Sequence, residues 1–160
     1  MKFRVYTDGA CSKNPGPGGY SFIILPKDED GIPISVSGGL KETTNNCMEL
    51  TAIVRALKHV IKLTEHYTIS MIPEAIIYSD SAYCLNAINE KWLYSWQKND
   101  WKTSKGKEIK NRELWEDMYY ILDKYPSSFK FKKVKAHNGD KYNELADKLA
   151  KKAINRILEM

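Results

Sequence analysis

The order in which two hydrophobic periodicities alternate is the feature that most restricts the fold of this chain. Residues 2–7 alternate polar and apolar side chains, as a half-buried strand does, and residues 20–25 and 32–40 are predicted to be two further strands. From Met48 to Ile61 the apolar residues recur at helical spacing, and Thr44, Asn45 and Asn46 offer capping side chains before them. Three consecutive strands followed by a helix favour an antiparallel meander joined to a crossover.

The strand-like alternation and the helical spacing of apolar residues both recur towards the C-terminus. We predict a strand at 75–79, helices over 81–89, 93–98 and 112–124, a strand at 129–135 and a last helix over 143–157. The segment at 12–19 is packed with turn-forming residues and is predicted to be a loop, as is a polar turn at 26–31. We therefore predict one α/β domain over residues 1–160, with a mixed sheet of about five strands flanked by helices.

Composition excludes several other classes of protein. The 160 residues are 42% hydrophobic and 28% charged, and no apolar run is long enough for a membrane span or a signal peptide. Cys11, Cys47 and Cys84 are odd in number and widely spaced, so they fit neither a disulfide framework nor a zinc ribbon. We expect a reduced, cytoplasmic setting and no membrane partner.

The net charge of +5 is concentrated in one segment. Residues 91–112 contain seven basic and two acidic side chains, whereas the rest of the chain has 18 of each sign. The same segment holds Trp92, Trp96 and Trp101. A cluster of bases and aromatic rings favours a surface for a polyanion with stackable groups. A lysine-rich, solvated amphipathic helix is the alternative.

Four acidic residues stand where secondary structure would bring them together. Asp8 ends the first predicted strand, Asp80 directly follows the strand at 75–79, Glu49 lies in the first turn of the first helix, and Asp147 lies on the last helix. Sites in open α/β sheets form beyond the carboxyl ends of the strands. Asp8 and Asp80 would therefore meet if their two strands are parallel neighbours.

Three of these acids also have an ordinary explanation. Glu49 could complement a helix N-terminus, Asp80 could cap a helix, and Asp147 could pair with Lys151 one turn later. Four carboxylates without counter-charges, however, repel one another and raise their own pKa values, and such a cluster persists because it holds divalent cations. Ligands that are all oxygen indicate Mg²⁺ or Mn²⁺ rather than zinc.

Five segments, in order through nearly the whole chain, resemble the motifs of type 1 ribonucleases H. They are YTDGACSKNPGPGGY at 6–20, TTNNCMEL at 43–50, YSDSAY at 78–83, the basic stretch at 92–115 and VKAHNGDKYNELADKLA at 134–150. The resemblance implies the ribonuclease H-like fold, a five-stranded mixed sheet flanked by helices. It also implies that residues 91–112 form the basic protrusion of the bacterial-type enzymes.

The resemblance further implies an activity. Members of the family are endonucleases that hydrolyse the RNA strand of RNA–DNA hybrids, largely without regard to sequence, and leave 5′-phosphate and 3′-hydroxyl products. Asp8, Glu49, Asp80 and Asp147 would hold two Mg²⁺ ions, for which Mn²⁺ could substitute. His137 would assist proton transfer or product departure, unless it is an ordinary exposed loop histidine. No obligate protein partner is implied, and we expect a monomer.

Further positions match family residues that contact the hybrid. By resemblance, Cys11, Asn14 and Asn45 would contact sugars or bases around the cut. Thr44 and Asn111 would contact a DNA phosphate, and Trp92 would line the channel for the DNA strand. Lys98, Lys102 and Lys105 would contact other phosphates. Asn14 and Asn45 could instead be turn and cap residues only. Ala82 departs from the family, which often has Gln there, so one minor-groove contact is predicted to be missing.

Three alternatives remain open at this stage. The first is a nuclease of related fold that acts on DNA, which would not need the sugar-contacting residues. The second is a non-catalytic hybrid-binding module, against which the complete acid set argues. The third is the ribonuclease H domain of a reverse transcriptase, against which the basic protrusion argues.

Overall fold

The computed structural model describes residues 2–26, 31–67, 72–134 and 140–160. Its strands are β1 (Lys2–Cys11), β2 (Gly16–Pro26), β3 (Ile34–Thr43), β4 (Glu74–Ser79) and β5 (Phe129–Lys133). Its helices are α1 (Asn45–Tyr67), α2 (Ala82–Asn89), α3 (Trp92–Lys98), α4 (Arg112–Lys124) and α5 (Lys141–Leu158). None of these helices combines the length and apolarity needed to cross a membrane.

The strands form one mixed sheet in the order β3-β2-β1-β4-β5. β1, β2 and β3 pair antiparallel, whereas β4 pairs parallel with β1 on one side and with β5 on the other. Both the predicted meander and the predicted parallel pair are therefore confirmed. The parallel part follows from the crossover through α1, which returns the chain to the far side of β1.

Helices cover both faces of this sheet because successive strand residues point to opposite sides. On one face Val5 and Phe22 pack in the main core with α1, whose Ile53, Ala56 and Leu57 are fully buried. On the other face Tyr6 and Ile23 pack against Ala146 of α5. The helical periodicity predicted from Met48 onward is thus the buried stripe of α1.

The predicted loop at 12–19 is wrong in its second half. β2 begins at Gly16, and Gly19 pairs with Gly39 of β3. A side chain at Gly19 would overlap the backbone of Ala150, so glycine is required where α5 lies directly on the sheet. The glycines that predict a loop in this half of the segment instead belong to a strand on which a helix packs closely.

Several element boundaries also differ from prediction. α1 begins at Asn45 rather than near Met48. Of the three predicted caps, the Thr44 hydroxyl accepts a hydrogen bond from a backbone N–H of the helix, that of Cys47 at 3.1 Å. α5 begins at Lys141, where the Asp140 side chain accepts from Tyr142 N and Asn143 N. Residues 27–30 of the predicted turn and residue 135 of the predicted last strand lie outside the described residues.

Candidate active site

Asp8 and Asp80 lie side by side because of the register of two parallel strands. The β1–β4 pairing ends at Tyr6 opposite Tyr78, so the next residues on the same face are Asp8 and Asp80. The prediction that Asp8 ends its strand is wrong, because β1 continues to Cys11 beside β2 and Asp8 pairs there with Ser21. It does follow the last parallel pair, which is where sites form in such sheets.

Gly9 allows Glu49 to reach this edge of the sheet. A side chain at Gly9 would overlap the backbone of Met48 and Glu49, so its absence lets α1 approach β1 at backbone distance. Glu49 is the fifth residue of α1, and no acid lies in the first turn. The alternative that Glu49 merely complements the helix N-terminus is therefore wrong.

Small residues bring Asp147 to the same place from the opposite face. Ala146 and Ala150 of α5 are fully buried, and the Ser21 hydroxyl donates a 2.5 Å hydrogen bond to the Ala146 carbonyl. Ser21 is the partner of Asp8 across β1 and β2, so Asp147 follows directly beside Asp8. Asp147 also forms the predicted ion pair with Lys151, at 2.9 Å.

Burial and neighbouring charges raise the pKa values of two of these acids, Asp8 and Glu49. The Asp8 side chain is buried, and the pKa of Asp8 is raised to about 8, first by burial, then by the charges of Asp80 and Asp147 and by a hydrogen bond with Asp147. The pKa of Glu49 is raised by burial and by the charge of Asp80, against a hydrogen bond from Ser81 that lowers it. Electrostatic interactions therefore connect neighbouring acids in the order Asp147, Asp8, Asp80 and Glu49.

This cluster has the chemistry of a cation site but not a finished coordination cage. In the described ranges, no group of three or more His, Cys, Asp or Glu side chains is arranged to hold a metal ion. Asp147 is engaged with Lys151, and the raised pKa of Asp8 favours the protonated carboxyl in the absence of a cation. A divalent cation would displace that proton and supply the charge the cluster lacks, so the donor set fits a hard metal ion.

Ser81, which the motif did not single out, has two roles here. It is the N-cap of α2, accepting a hydrogen bond from Cys84 N at 3.1 Å, so the alternative of Asp80 as that cap is wrong. Its hydroxyl also hydrogen-bonds Glu49. A serine directly before a helical pattern predicts a helix cap, so the capping role of Ser81 could be found from the sequence. The bond from Ser81 to Glu49 could not, because it depends on the packing of α1 against α2.

Three of the predicted substrate contacts form one hydrogen-bonded group. Cys11 N donates to Asn45 Oδ1 at 2.8 Å, and Asn45 N donates to Asn14 Oδ1 at 3.1 Å. Both side-chain oxygens are thus used within the protein. The amide nitrogens of Asn14 and Asn45 have no partner within the described part of the chain, and they are left to donate outward.

Thr44 and Asn111 lie at the starts of α1 and α4. A groove of about 750 Å³ is lined by Cys47, which follows Thr44 by three residues, and by residues 108–114 and 116, which include Asn111. The Asn111 side chain donates to the Tyr83 hydroxyl at 3.2 Å, and Trp115 Nε1 donates to the same oxygen at 2.9 Å. Tyr83 therefore ties the start of α4 to α2.

The basic segment is less uniform than its composition indicates. Trp92 is 47% exposed, but Trp101 is buried and Trp96 packs edge-to-face on Trp115. The interpretation of all three tryptophans as a stacking surface is therefore wrong for Trp101, which is a core residue, and Trp96 is partly buried against the core.

The cations of this segment differ in a similar way. Arg112 is held by Glu108 at 3.0 Å and Glu116 at 2.6 Å. The side chains of Lys98, Lys102 and Lys105 are exposed, and Lys102 lies 4.0 Å from Asp100. The lysines, rather than the arginine, are thus the cations available to an external polyanion. His137 lies outside the described residues.

Comparison with known proteins gives a consistent result. Residues 1–155 match the model of the family described as RNase H. A protein named Ribonuclease H from Caldicellulosiruptor saccharolyticus is 44% identical over 156 residues, which cover 96% of each chain. Another of that name, from Treponema denticola, is 39% identical over 165 residues, 99% of this chain and 100% of the relative.

Solved structures share the fold. A crystal structure of LC11-RNase H1 in complex with an RNA/DNA hybrid aligns with a TM-score of 0.70 and 25% identity, over 98% of this chain and 99% of that chain. The N-terminal RNase H domain of a Mycobacterium tuberculosis protein aligns with a TM-score of 0.73 and 21% identity, over 99% and 97%.

Proposed function

The chain belongs to the RNase H family, and from this we propose that it cuts the RNA strand of RNA–DNA hybrids at the cluster of Asp8, Glu49, Asp80 and Asp147. As a member of that family it is a metal-dependent endoribonuclease. The observation that carries the site assignment is the buried Asp8, whose pKa is raised to about 8 beside two other carboxylates. A fold tolerates such repulsion where a cation relieves it.

The cation we propose is Mg²⁺, with two ions per site and Mn²⁺ as a substitute. The all-carboxylate donor set supports a hard divalent ion rather than zinc. Asp8, Glu49, Asp80 and Asp147 would hold the ions, which would supply an activated water for the scissile phosphate and neutralise charge on the leaving 3′-oxygen, giving 5′-phosphate and 3′-hydroxyl products. Ser81 would orient Glu49, Asp147 would exchange its ion pair with Lys151 for the bound ion, and His137 would move a proton or assist product departure.

The group of Cys11, Asn14 and Asn45 is proposed to recognise the RNA strand. The outward amide donors of Asn14 and Asn45 suit the acceptor atoms that every base pair presents in the minor groove. The 2′-hydroxyl, which can accept and donate, is the mark by which a protein distinguishes RNA from DNA. Because these acceptors recur at every step, cutting is expected to be largely independent of sequence.

The DNA strand is proposed to lie along the groove between α1 and α4. Thr44 and Asn111 would hold a phosphate, and the exposed face of Trp92 would line the channel. The lysines Lys98, Lys102 and Lys105 would add phosphate contacts without reading sequence. We further propose that residues 1–160 act as one monomeric domain in the cytoplasm, a setting that suits the three free cysteines.

The test is cleavage of a matched hybrid, DNA duplex and RNA duplex, each with Mg²⁺, with Mn²⁺ and with EDTA. We expect cutting of the hybrid alone, on its RNA strand, only when the metal is present. The control is Asp80→Asn, which should abolish cleavage while hybrid binding stays within about twofold, because it removes a metal ligand and not a substrate contact. Wild-type turnover by Asp80→Asn would contradict the site assignment.

A further inference from the structure

Two hydroxyl groups of the sheet hydrogen-bond to α5 and its N-cap. The Tyr6 hydroxyl donates to Asp140 Oδ2 at 3.2 Å, and the Ser21 hydroxyl donates to the Ala146 carbonyl at 2.5 Å. Both side chains are buried on the face of the sheet that α5 covers, and we call their hydroxyl groups the α5 anchors. Asp140 and Ala146 are six residues apart, so the anchors hold α5 at two points just before Asp147.

The spacing of small residues sets how α5 lies on β2. Gly19 and Ser21 are two residues apart on the strand, a distance of about 6.8 Å. Ala146 and Ala150 are four residues apart on the helix, a distance of about 6.0 Å. Because a side chain at Gly19 would overlap the Ala150 backbone, strand and helix are in contact at both points. Moving α5 by one residue would turn it by about 100° and take the Ala146 carbonyl away from the Ser21 hydroxyl.

This register places Asp147 beside Asp8. Ser21 is the partner of Asp8 in the pairing of β1 with β2. Asp147 directly follows Ala146, whose carbonyl accepts the hydrogen bond from Ser21. The Asp8 and Asp147 side chains are close enough to hydrogen-bond each other. Two ionised carboxylates at such a distance repel each other, so the contact between α5 and the sheet has to keep them together.

Tyr6 acts on the first turn of the same helix. Asp140 is the N-cap of α5, and its Oδ1 accepts from two backbone N–H groups of the first turn while its Oδ2 accepts from Tyr6. The Tyr6 ring stacks on Tyr78 with centroids 4.8 Å apart, so the hydroxyl has a fixed position. Tyr6 therefore orients the capping carboxylate, and loss of its hydroxyl would loosen the start of the helix.

We propose that Ser21 and Tyr6 are positioning residues for Asp147. They act through the α5 anchors, which keep the Asp147 carboxylate beside Asp8 in the arrangement that a divalent cation requires. Ser21 has the larger effect because it acts at the residue before Asp147, whereas Tyr6 acts through the cap about two turns earlier. The inference rests on the proposed function, since it takes Asp8 and Asp147 as ligands of the cation.

The test measures the affinity of the metal-free protein for Mg²⁺ by NMR titration of its backbone amides, without substrate. Ser21→Ala should raise the Kd for Mg²⁺ by about tenfold, the lower end of the range for groups that orient metal ligands. Tyr6→Phe keeps the stacked ring and should raise the Kd about threefold, as expected for one ordinary hydrogen bond. Hybrid cleavage by both variants should recover as Mg²⁺ is raised, with an unchanged KM for the hybrid, because no substrate contact is removed.

Thr64→Val is the matched control. The Thr64 hydroxyl is also buried and donates to a helix carbonyl, that of Val60 at 2.9 Å, but it lies in the later turns of α1. Its removal should lower the free energy of unfolding in EDTA and leave the Kd for Mg²⁺ as in the wild type. A purely structural role for Ser21 would give this same pattern in Ser21→Ala.

The proposal is overturned if Ser21→Ala binds Mg²⁺ as tightly as the wild type. It is also overturned if Thr64→Val loses as much Mg²⁺ affinity as Ser21→Ala, since general destabilisation would then explain the loss. Should Ser21→Ala not fold, an unchanged Kd for Tyr6→Phe overturns it. Wild-type protein that binds Mg²⁺ at these acids but does not cut the hybrid would instead contradict only the proposed function.

Discussion

Replacing Asp8 by Asn should stabilise the protein in the absence of divalent metal, and more so as the pH rises. An unfolded Asp loses its proton near its ordinary pKa of 3.8, whereas the pKa of folded Asp8 is about 8. Between these values the folded state holds one more proton than the unfolded state. The free energy of unfolding of the wild type therefore falls with rising pH, by up to about 1.4 kcal/mol per unit from this group.

The size of the effect follows from the same shift. A rise from 3.8 to about 8 corresponds to on the order of 6 kcal/mol lost by the wild type once the pH exceeds the folded pKa. Asn removes the charge but keeps a buried polar group, so we expect a net gain of about 2–4 kcal/mol at pH 9. For a chain of this length that gain raises Tm by roughly 4–16 °C. Near pH 4 both forms are neutral and the gain should vanish.

The assay is urea denaturation in EDTA at several pH values from 4 to 9, followed by circular dichroism. Asp123→Asn, at an exposed site on α4, is the control and should change stability by the same small amount at every pH. Adding Mg²⁺ should stabilise the wild type more than Asp8→Asn, because only the wild type has the complete donor set. The reasoning is refuted if the advantage of Asp8→Asn at pH 9 is no larger than at pH 4.

Three further predictions concern the substrate. Changing Lys98, Lys102 and Lys105 together to Ala should lower the log–log salt slope of hybrid binding by roughly 0.9 for each lost phosphate contact, and an unchanged slope in a filter-binding titration would exclude their role. His137→Ala should lower kcat by about 10²-fold, as for a lost general acid or base, whereas a rise in KM alone would contradict that role. Ala82→Gln should tighten hybrid binding by up to about tenfold in a cleavage-inactive background with Ca²⁺, and equal affinity would show that no contact is missing there.

The placement of the acids could be predicted because it depends on strand order and register. Asp8 and Asp80 follow strands whose parallel pairing is implied by the crossover through α1, and the period of two then puts both on one face. What the pattern could not show is that β1 continues beyond Asp8, since the same residues pair with β2 on their other side. The pairing of β1 with β4 ends at Tyr6, whereas its pairing with β2 continues to Cys11.

The roles of Gly9 and Trp101 could not be predicted for a different reason. The sequence shows a glycine after Asp8 but not the helix that lies against it, and this contact sets the distance from α1 to β1. A tryptophan in a lysine-rich stretch likewise has the same local sequence whether it stacks on a ligand or fills the core. Burial depends on contacts distant in sequence, and Trp101 packs with Tyr119 of α4.

The double hydrogen bond at Tyr83 has a consequence for how this enzyme could diverge. Tyr83 stands three residues after Asp80, and its hydroxyl is shared by Asn111 and Trp115, which frame the return of the basic segment. An exchanged or shortened basic segment would therefore remove Asn111, one of the two donors to the Tyr83 hydroxyl, and could shift the start of α4 against the helix that follows Asp80. The basic segment and the segment at 78–83 are thus expected to change together in descendants of this protein, so that a graft succeeds best when the residue at position 83 and its partner at position 111 are transferred together.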